Sequence, residues 1–298
     1  MKTAYILIKR NTKLFFKDKG LFFVSLITPM ILLVLYITFL ANVYRDSFLM
    51  SVPQGFSVDE RVLNGFVASQ LVSSMLAVSC ITVAFCSNML MVQDKANGSI
   101  KDLTISPVRY STLAVSYFAS NMISTLIICF SALAIGLVYI AIVGWYMTVA
   151  DVLMLVLDVV LLTLFGAALS SVINFFLSSQ GQMSAVGTMV SSCYGFISGA
   201  YMPISQFPEG LQKLIMFLPG TYGTVLLRNH AMQGAFSKME ADGLPKEVIT
   251  AAKDAMDLNI YVFDNKVEIW AMYLVLCGTV ALLLALYIIM NILKGKKK

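Results

Sequence analysis

Nowhere in the 298 residues is there a G-x-x-x-x-G-K-[ST] run, and Gly295-Lys296 near the end has no upstream glycine partner. The chain thus lacks a loop that could cradle nucleotide phosphates. The single histidine, His230, excludes an H-E-x-x-H metal site, and its place beside Arg228 reads as a surface residue. No G-x-S-x-G elbow occurs, and the apolar stretches offer no acid–base pair for a membrane-embedded hydrolase. Charge is scarce: 12% of residues are charged and 59% are hydrophobic, with a mean hydropathy of +0.83. Water could not solvate that much apolar surface, so lipid must be the solvent for most of the chain. The five cysteines, Cys80, Cys86, Cys129, Cys193 and Cys277, lie in apolar stretches without metal-ligand spacing and read as buried packing residues.

Charge-free runs locate the spans: Gly20–Tyr44, Val62–Gln93, Tyr110–Ala150, Val159–Pro208 and Ile269–Leu293. A crossing needs roughly 20 apolar residues, so the fourth run has room for more than one. Six spans are expected, near Leu21–Val43, Phe66–Val92, Thr112–Val143, Val152–Leu177, Met183–Met202 and Ile269–Ile292, with Ser178–Gln182 as the loop between the fourth and fifth. The first is too long and too poor in small flanking residues for a cleavable signal peptide.

With six spans, 13 of the 21 basic residues fall on one side with only Asp18, Asp94 and Asp102. By the positive-inside rule both termini are cytoplasmic. The net charge of +5 then reflects topology and contact with membrane lipid, and gives no reason to invoke nucleic acid.

Residues 1–20 place Lys2, Lys9, Lys13 and Lys17 within about 80° on a helical wheel, beside Tyr5, Ile8, Phe15 and Phe16. This reads as a helix in the cytoplasmic interface, with an ordinary charged flank as the alternative. The segment 93–110 holds a turn at Asn97-Gly98, a short helix near Ser99–Leu103 and a stop at Ser106-Pro107. It is either a docking surface for a cytoplasmic partner or a solvated connector.

From Ile197 to Arg228 an apolar span breaks at Pro203 and Pro208, resumes around Leu211–Leu218, and breaks again at Pro219-Gly220. A half-length apolar helix at membrane depth must have its freed backbone groups covered by protein or by a water-filled cavity. A re-entrant element at 203–228 follows, then an extracellular segment at 229–268 that is partly helical around Ala251–Met256. Two carboxylates enter the spans. Asp151 can cap the fourth helix, whereas Asp158 is surrounded by apolar residues, where insertion costs about 2.5–3.5 kcal/mol and demands a partner. It is a candidate path residue, binding a cation or proton, or a structural hydrogen-bonding group facing Ser, Thr or Tyr of a neighbouring helix. Small and hydroxyl residues such as Ser73, Ser79, Gly166 and Gly187 suit close helix packing.

The chain resembles the membrane (permease) subunit of bacterial type-2 ABC exporters, the group covering drug, antibiotic and polysaccharide export. Two motifs carry the resemblance. QDKANGSIKDLTISPVR is similar to the family's coupling segment, and SGAYMPISQFPEGLQKLIMFLPGTYGTVLLR to its run of broken outer helices. The resemblance implies a single all-α transmembrane domain over 1–298, with six transmembrane helices, an N-terminal interfacial amphipathic helix, and re-entrant extracellular helices between spans five and six. It implies a multi-pass protein of the bacterial plasma membrane without catalytic residues, metal or bound cofactor. ATP and Mg would be held by a separate ATP-binding subunit docking at Asp94, Lys95, Gly98, Ser99, Lys101, Asp102, Pro107 and Arg109. A second permease copy, identical or closely related, would complete the path, and Gly199, Pro203, Pro208, Pro219, Tyr222 and Arg228 would form the extracellular gate. The substrate class implied is amphipathic: a drug, an antibiotic peptide or a lipid-linked molecule. The competing readings are a self-sufficient ion-coupled transporter or channel using Asp158 and a membrane-embedded enzyme; the latter lacks any site constellation.

Overall fold

The computed structural model describes residues 2–51, 58–105, 108–262 and 265–296. Helix α1 (Lys2–Lys17) buries a single stripe, Leu7, Asn11 and Phe15, at intervals of four residues and leaves Lys2, Lys9, Lys13 and Lys17 exposed. It stops at Asp18, whose carboxylate accepts the Leu21 N–H at 3.1 Å and caps α2 (Lys19–Leu35). A widened π turn, Tyr36–Leu40, joins α2 to α3 (Ala41–Ser51), so the first long helix continues through Pro29 to the far end of the bundle.

Helix α4 (Glu60–Ser87) is the axis of the fold. Nearly every residue from Val62 to Ser87 is buried, and α2, α7, α8, α9 and α11 all pack on it. Small side chains allow this crowding. A Cβ at Gly136 of α7 (Tyr110–Val143) would stand 2.5 Å from Val72, and one at Gly166 of α8 (Val149–Phe176) would stand 2.9 Å from the Cys80 carbonyl. Three buried hydroxyls of α4 need no outside partner, because Ser73, Ser79 and Thr82 donate to carbonyls three or four residues back, at 2.7–3.0 Å.

Beyond α4 the chain forms α5 (Met89–Ala96) and α6 (Ser99–Ile105), then α7, α8 and α9 (Gln180–Ile197). A capping box between Thr148 and Asp151 starts α8, the role read for Asp151 from sequence. The expected loop at Ser178–Gln182 is shorter than read. Ser179 accepts the Gln182 N–H at 3.3 Å, so Gln180 to Gln182 form the first turn of α9. The expected span to Met202 also ends early, at Ile197, because Gly199 turns left-handed at φ 71°.

The remainder comprises a 3₁₀ turn at Ile204–Gln206, α10 (Glu209–Met216), α11 (Pro219–Ala241), α12 (Lys246–Ala255), a two-stranded hairpin and α13 (Ile269–Lys296). The hairpin pairs β1 (Tyr261–Val262) with β2 (Asn265–Lys266) and is the departure from an all-helical chain among the described residues.

Five helical stretches among the described residues are long and apolar enough to cross a membrane: Lys19–Asp46, Glu60–Ala96, Tyr110–Val143, Val149–Phe176 and Ile269–Lys294. The protein is a multi-pass, mostly helical membrane protein. Leu7, Met91, Leu113, Tyr117 and Tyr287 share one cluster with Ile100 and Leu103, so α1, α5, α6 and the end of α13 gather at one end of the bundle. Cys80, Cys86 and Cys129 are buried as expected, but Cys193 and Cys277 are exposed.

Candidate functional site: the coupling segment and the broken helix

At the terminal end, adjacent residues of α5 hold three other elements. Asp94 is buried; its Oδ2 lies 2.8 Å from Arg10 Nη1 of α1 and accepts the Tyr117 hydroxyl of α7 at 2.5 Å. The hydrogen bond from Asp94 raises the Arg10 pKa above its ordinary value, with partial burial opposing it. Lys95 turns the other way. Its Nζ donates to the carbonyls of Asn174, Phe175 and Leu177 at 2.7, 2.8 and 3.1 Å, covering the orphan acceptors at the end of α8.

Both residues therefore face inward, where sequence reasoning assigned them to an outward docking surface. The exposed part of the segment is made by α6 and the start of α7. Gly98, at φ 79° with open space around it, reverses the chain between α5 and α6, a conformation that favours glycine. Ile100 and Leu103 pack against the terminal-end cluster, Ser99 is half-buried, and Asp102, Ile105 and Arg109 are exposed, Ile105 at 85%. Lys101 lies on the same helix; Pro107 lies outside the described residues.

The broken segment is organised around Arg228. This residue of α11 is fully buried and donates to the Gly199 carbonyl at 2.5 Å, the Met256 carbonyl at 3.2 Å, Asp257 Oδ2 at 3.3 Å and Ser74 Oγ of α4 at 3.4 Å. Asp257 Oδ2 also accepts the Ile204 N–H at 2.7 Å. Pro203 precedes the 3₁₀ turn, Pro208 precedes α10, and Pro219 opens α11, each where a missing N–H removes nothing from a helix ladder. Thr221 Oγ1 donates to the Ile215 carbonyl at 2.8 Å and ties the end of α10 to the start of α11, while Tyr222 is buried one residue on.

Close approaches place α11 along the bundle. A Cβ at Gly223 would stand 2.5 Å from Leu162, which lies 13 residues into α8, while Gly234 lies against the Tyr146 carbonyl in the turn before α8. At 1.5 Å per residue, α11 thus begins about 20 Å deeper than the Tyr146 turn.

Asp158 of α8 is closed off, with 0% of its side chain exposed, and both of its oxygens are engaged. Oδ2 lies 2.6 Å from His230 Nδ1 of α11, and Oδ1 accepts the Tyr273 hydroxyl of α13 at 2.5 Å. The structural alternative for this carboxylate named a tyrosine, serine or threonine partner, and Tyr273 is one. His230, read from sequence as a surface residue, is instead its second partner, because α11 turns that side chain toward α8. Arg10, Tyr117, Asp257 and Ser74 carried no usable signal in the sequence. Each acts through a partner distant along the chain.

No curated protein matches the chain. The family model described as ABC-2 type transporter matches residues 3–231, which takes in α1, the coupling segment, the helices through α9 and the clamp at Arg228. The chain belongs to the ABC-2 type transporter family and is a permease component of an ABC transporter.

Proposed function

We propose that this permease moves an amphipathic substrate (a drug, an antibiotic peptide or a lipid-linked molecule) out of the cell, driven by ATP and Mg held in a separate ATP-binding subunit. The observation that carries the reading is the build of the coupling segment. Asp94 and Lys95 fix α5 to α1, α7 and α8, while α6 leaves Asp102 and Ile105 uncovered and Arg109 is exposed at the start of α7. An exposed apolar side chain at the end of a short helix, with Asp102 before it and Arg109 after it in the chain, suits a protein partner, and the bonds behind it would carry a push into the spans.

In this reading the terminal end is cytoplasmic and α1 lies in the interface. The 18-residue α9 is the fifth of six passages, at about 27 Å in length. Helices α10 and α11 are re-entrant, supported by the depth at which α11 begins, and with the Gly199–Arg228 clamp they form the extracellular gate. Exposed apolar residues along α2, among them Phe23, Ile27 and Ile31, are available to lipid or to a second permease copy. Engagement of both Asp158 oxygens by His230 and Tyr273 supports ATP drive over a metal-cation path through that carboxylate.

The test is purification through a tag on this chain after co-expression with an ATP-binding subunit encoded beside it. Stoichiometric co-elution with ATPase activity that responds to an amphipathic substrate in nanodiscs is the expected result. Elution of the chain alone, stable and folded, would remove the reading.

A further inference from the structure

Asp158, His230 and Tyr273 form a polar cluster inside an otherwise apolar seam where α8, α11 and α13 meet. The rings of His230 and Tyr273 also stack, with centroids 6.4 Å apart. Other titratable groups nearby are thiols or point elsewhere. Cys277 of α13 lies one turn from Tyr273, and Cys80 of α4 reaches the Val159 carbonyl at 3.9 Å. Cys129 of α7 faces Cys80. Arg228, two residues before His230, turns to Asp257, and Lys95 meets α8 only at its far terminus. Lys253 of α12 reaches α11 at Gln233. Among the described residues, His230 is thus the basic side chain set against Asp158, at 2.6 Å.

We propose that Asp158 and His230 together form a proton-binding site, and that the proton they share latches α11 to α8 and α13. Charge balance gives the reason. With one shared proton the pair is neutral overall, as imidazolium and carboxylate or as imidazole and carboxylic acid. Without it, a net negative charge is enclosed among apolar helices with only dipoles as partners, which is unfavourable at membrane depth. A second proton leaves an imidazolium facing a neutral acid, and the ion pair is lost. His230 keeps an exposed edge of 12% while Asp158 has none, so the imidazole is the route by which the proton arrives and leaves. The latch is tight while one proton is held and slackens as pH rises far enough to remove it. Its consequence for export rests on the reading of α11 as part of the gate; the proton site itself does not.

His230 is the only histidine in the chain, so ¹⁵N-histidine labelling of the full chain in lipid nanodiscs, purified through a tag without histidine, reports one imidazole. Its pH titration is measured beside hydrogen exchange of the α11 amides. The expected result is that Asp158→Asn moves the imidazole midpoint by about one pH unit or more. Exchange in α11 should rise several-fold across the wild-type transition and show no such step in the variant. An unchanged midpoint, or α11 exchange indifferent to the transition, overturns the proposal. If Asp158→Asn does not fold, Tyr273→Phe serves. It keeps the pair and removes one donor to the carboxylate, so it too must move the midpoint, and no movement overturns the site. Neither readout needs ATP or substrate. A chain that binds no ATPase but shows the linked titration would keep the site and sink the exporter reading. An ATP-driven complex with identical titrations in wild type and variants would do the reverse.

Discussion

Arg228 Nη1 and Asp257 Oδ2 stand 3.3 Å apart with both side chains closed to solvent, 1% and 8% exposed. The pair joins α11 to the segment after α12, and the same carboxylate oxygen holds the Ile204 N–H, so one residue fixes the turn that begins the broken segment. Asp257 adopts φ 55°, a left-handed conformation that Asp and Asn tolerate better than other side chains.

Arg228→Met should cost about 3–5 kcal/mol, because it takes the cationic partner from a buried carboxylate and the guanidinium donor from the Gly199 carbonyl. Asp257→Asn keeps an acceptor for Ile204 and the left-handed turn, so a loss of about 1–3 kcal/mol is expected. Thermal unfolding in nanodiscs should rank wild type, Asp257→Asn and Arg228→Met in that order. A reversed order would mean the guanidinium is satisfied elsewhere.

Arg10 and Asp94 should be energetically coupled, though modestly, since Arg10 is about one third exposed. A double-mutant cycle of Arg10→Gln and Asp94→Asn should return about 1 kcal/mol. Charge reversal at Asp94 should do more, lowering transport per ATP hydrolysed while leaving membrane insertion intact. Equal transport-to-hydrolysis ratios in reversed and native proteins would remove Asp94 from transmission.

Ile105→Asp separates docking from folding. The side chain is 85% exposed, so stability should stay within about 0.5 kcal/mol of native. Co-purification with the ATP-binding subunit should fall at least several-fold. Undiminished complex formation would place the docking face elsewhere on α6.

Gly98→Val tests the turn between α5 and α6. Nothing lies within 4 Å of the position a Cβ would take, so any effect comes from the positive φ and not from crowding. A β-branched residue there should cost roughly 1–2 kcal/mol and reduce coupling, and Gly98→Asn should recover most of both. ATPase assays of the two variants decide it; indistinguishable variants would show that the backbone relaxes without cost.

The coupling segment shows how far sequence reading reached. Its turn and short helix were legible because Asn97-Gly98 punctuates the chain locally, while the expected stop at Ser106-Pro107 lies outside the described residues. That Asp94 and Lys95 face inward was not, since it depends on where α1, α7 and α8 arrive. The broken helix behaves alike: Pro203, Pro208 and Pro219 announced the breaks, yet the partners of Arg228 lie 28 to 154 residues away.

By itself the sequence determined that lipid is the solvent, where the long apolar helices run, and where the proline-rich segment breaks. Hydrophobic length, charge bias and proline are properties of consecutive residues, and a bilayer imposes its thickness on them directly. Tertiary structure decided the pairings: Arg10 with Asp94 across 84 residues, Asp158 with His230 across 72 and with Tyr273 across 115. A buried charge predicts that some partner exists, because leaving it alone is costly. Which side chain answers is fixed only when helices packed through small residues bring particular faces together.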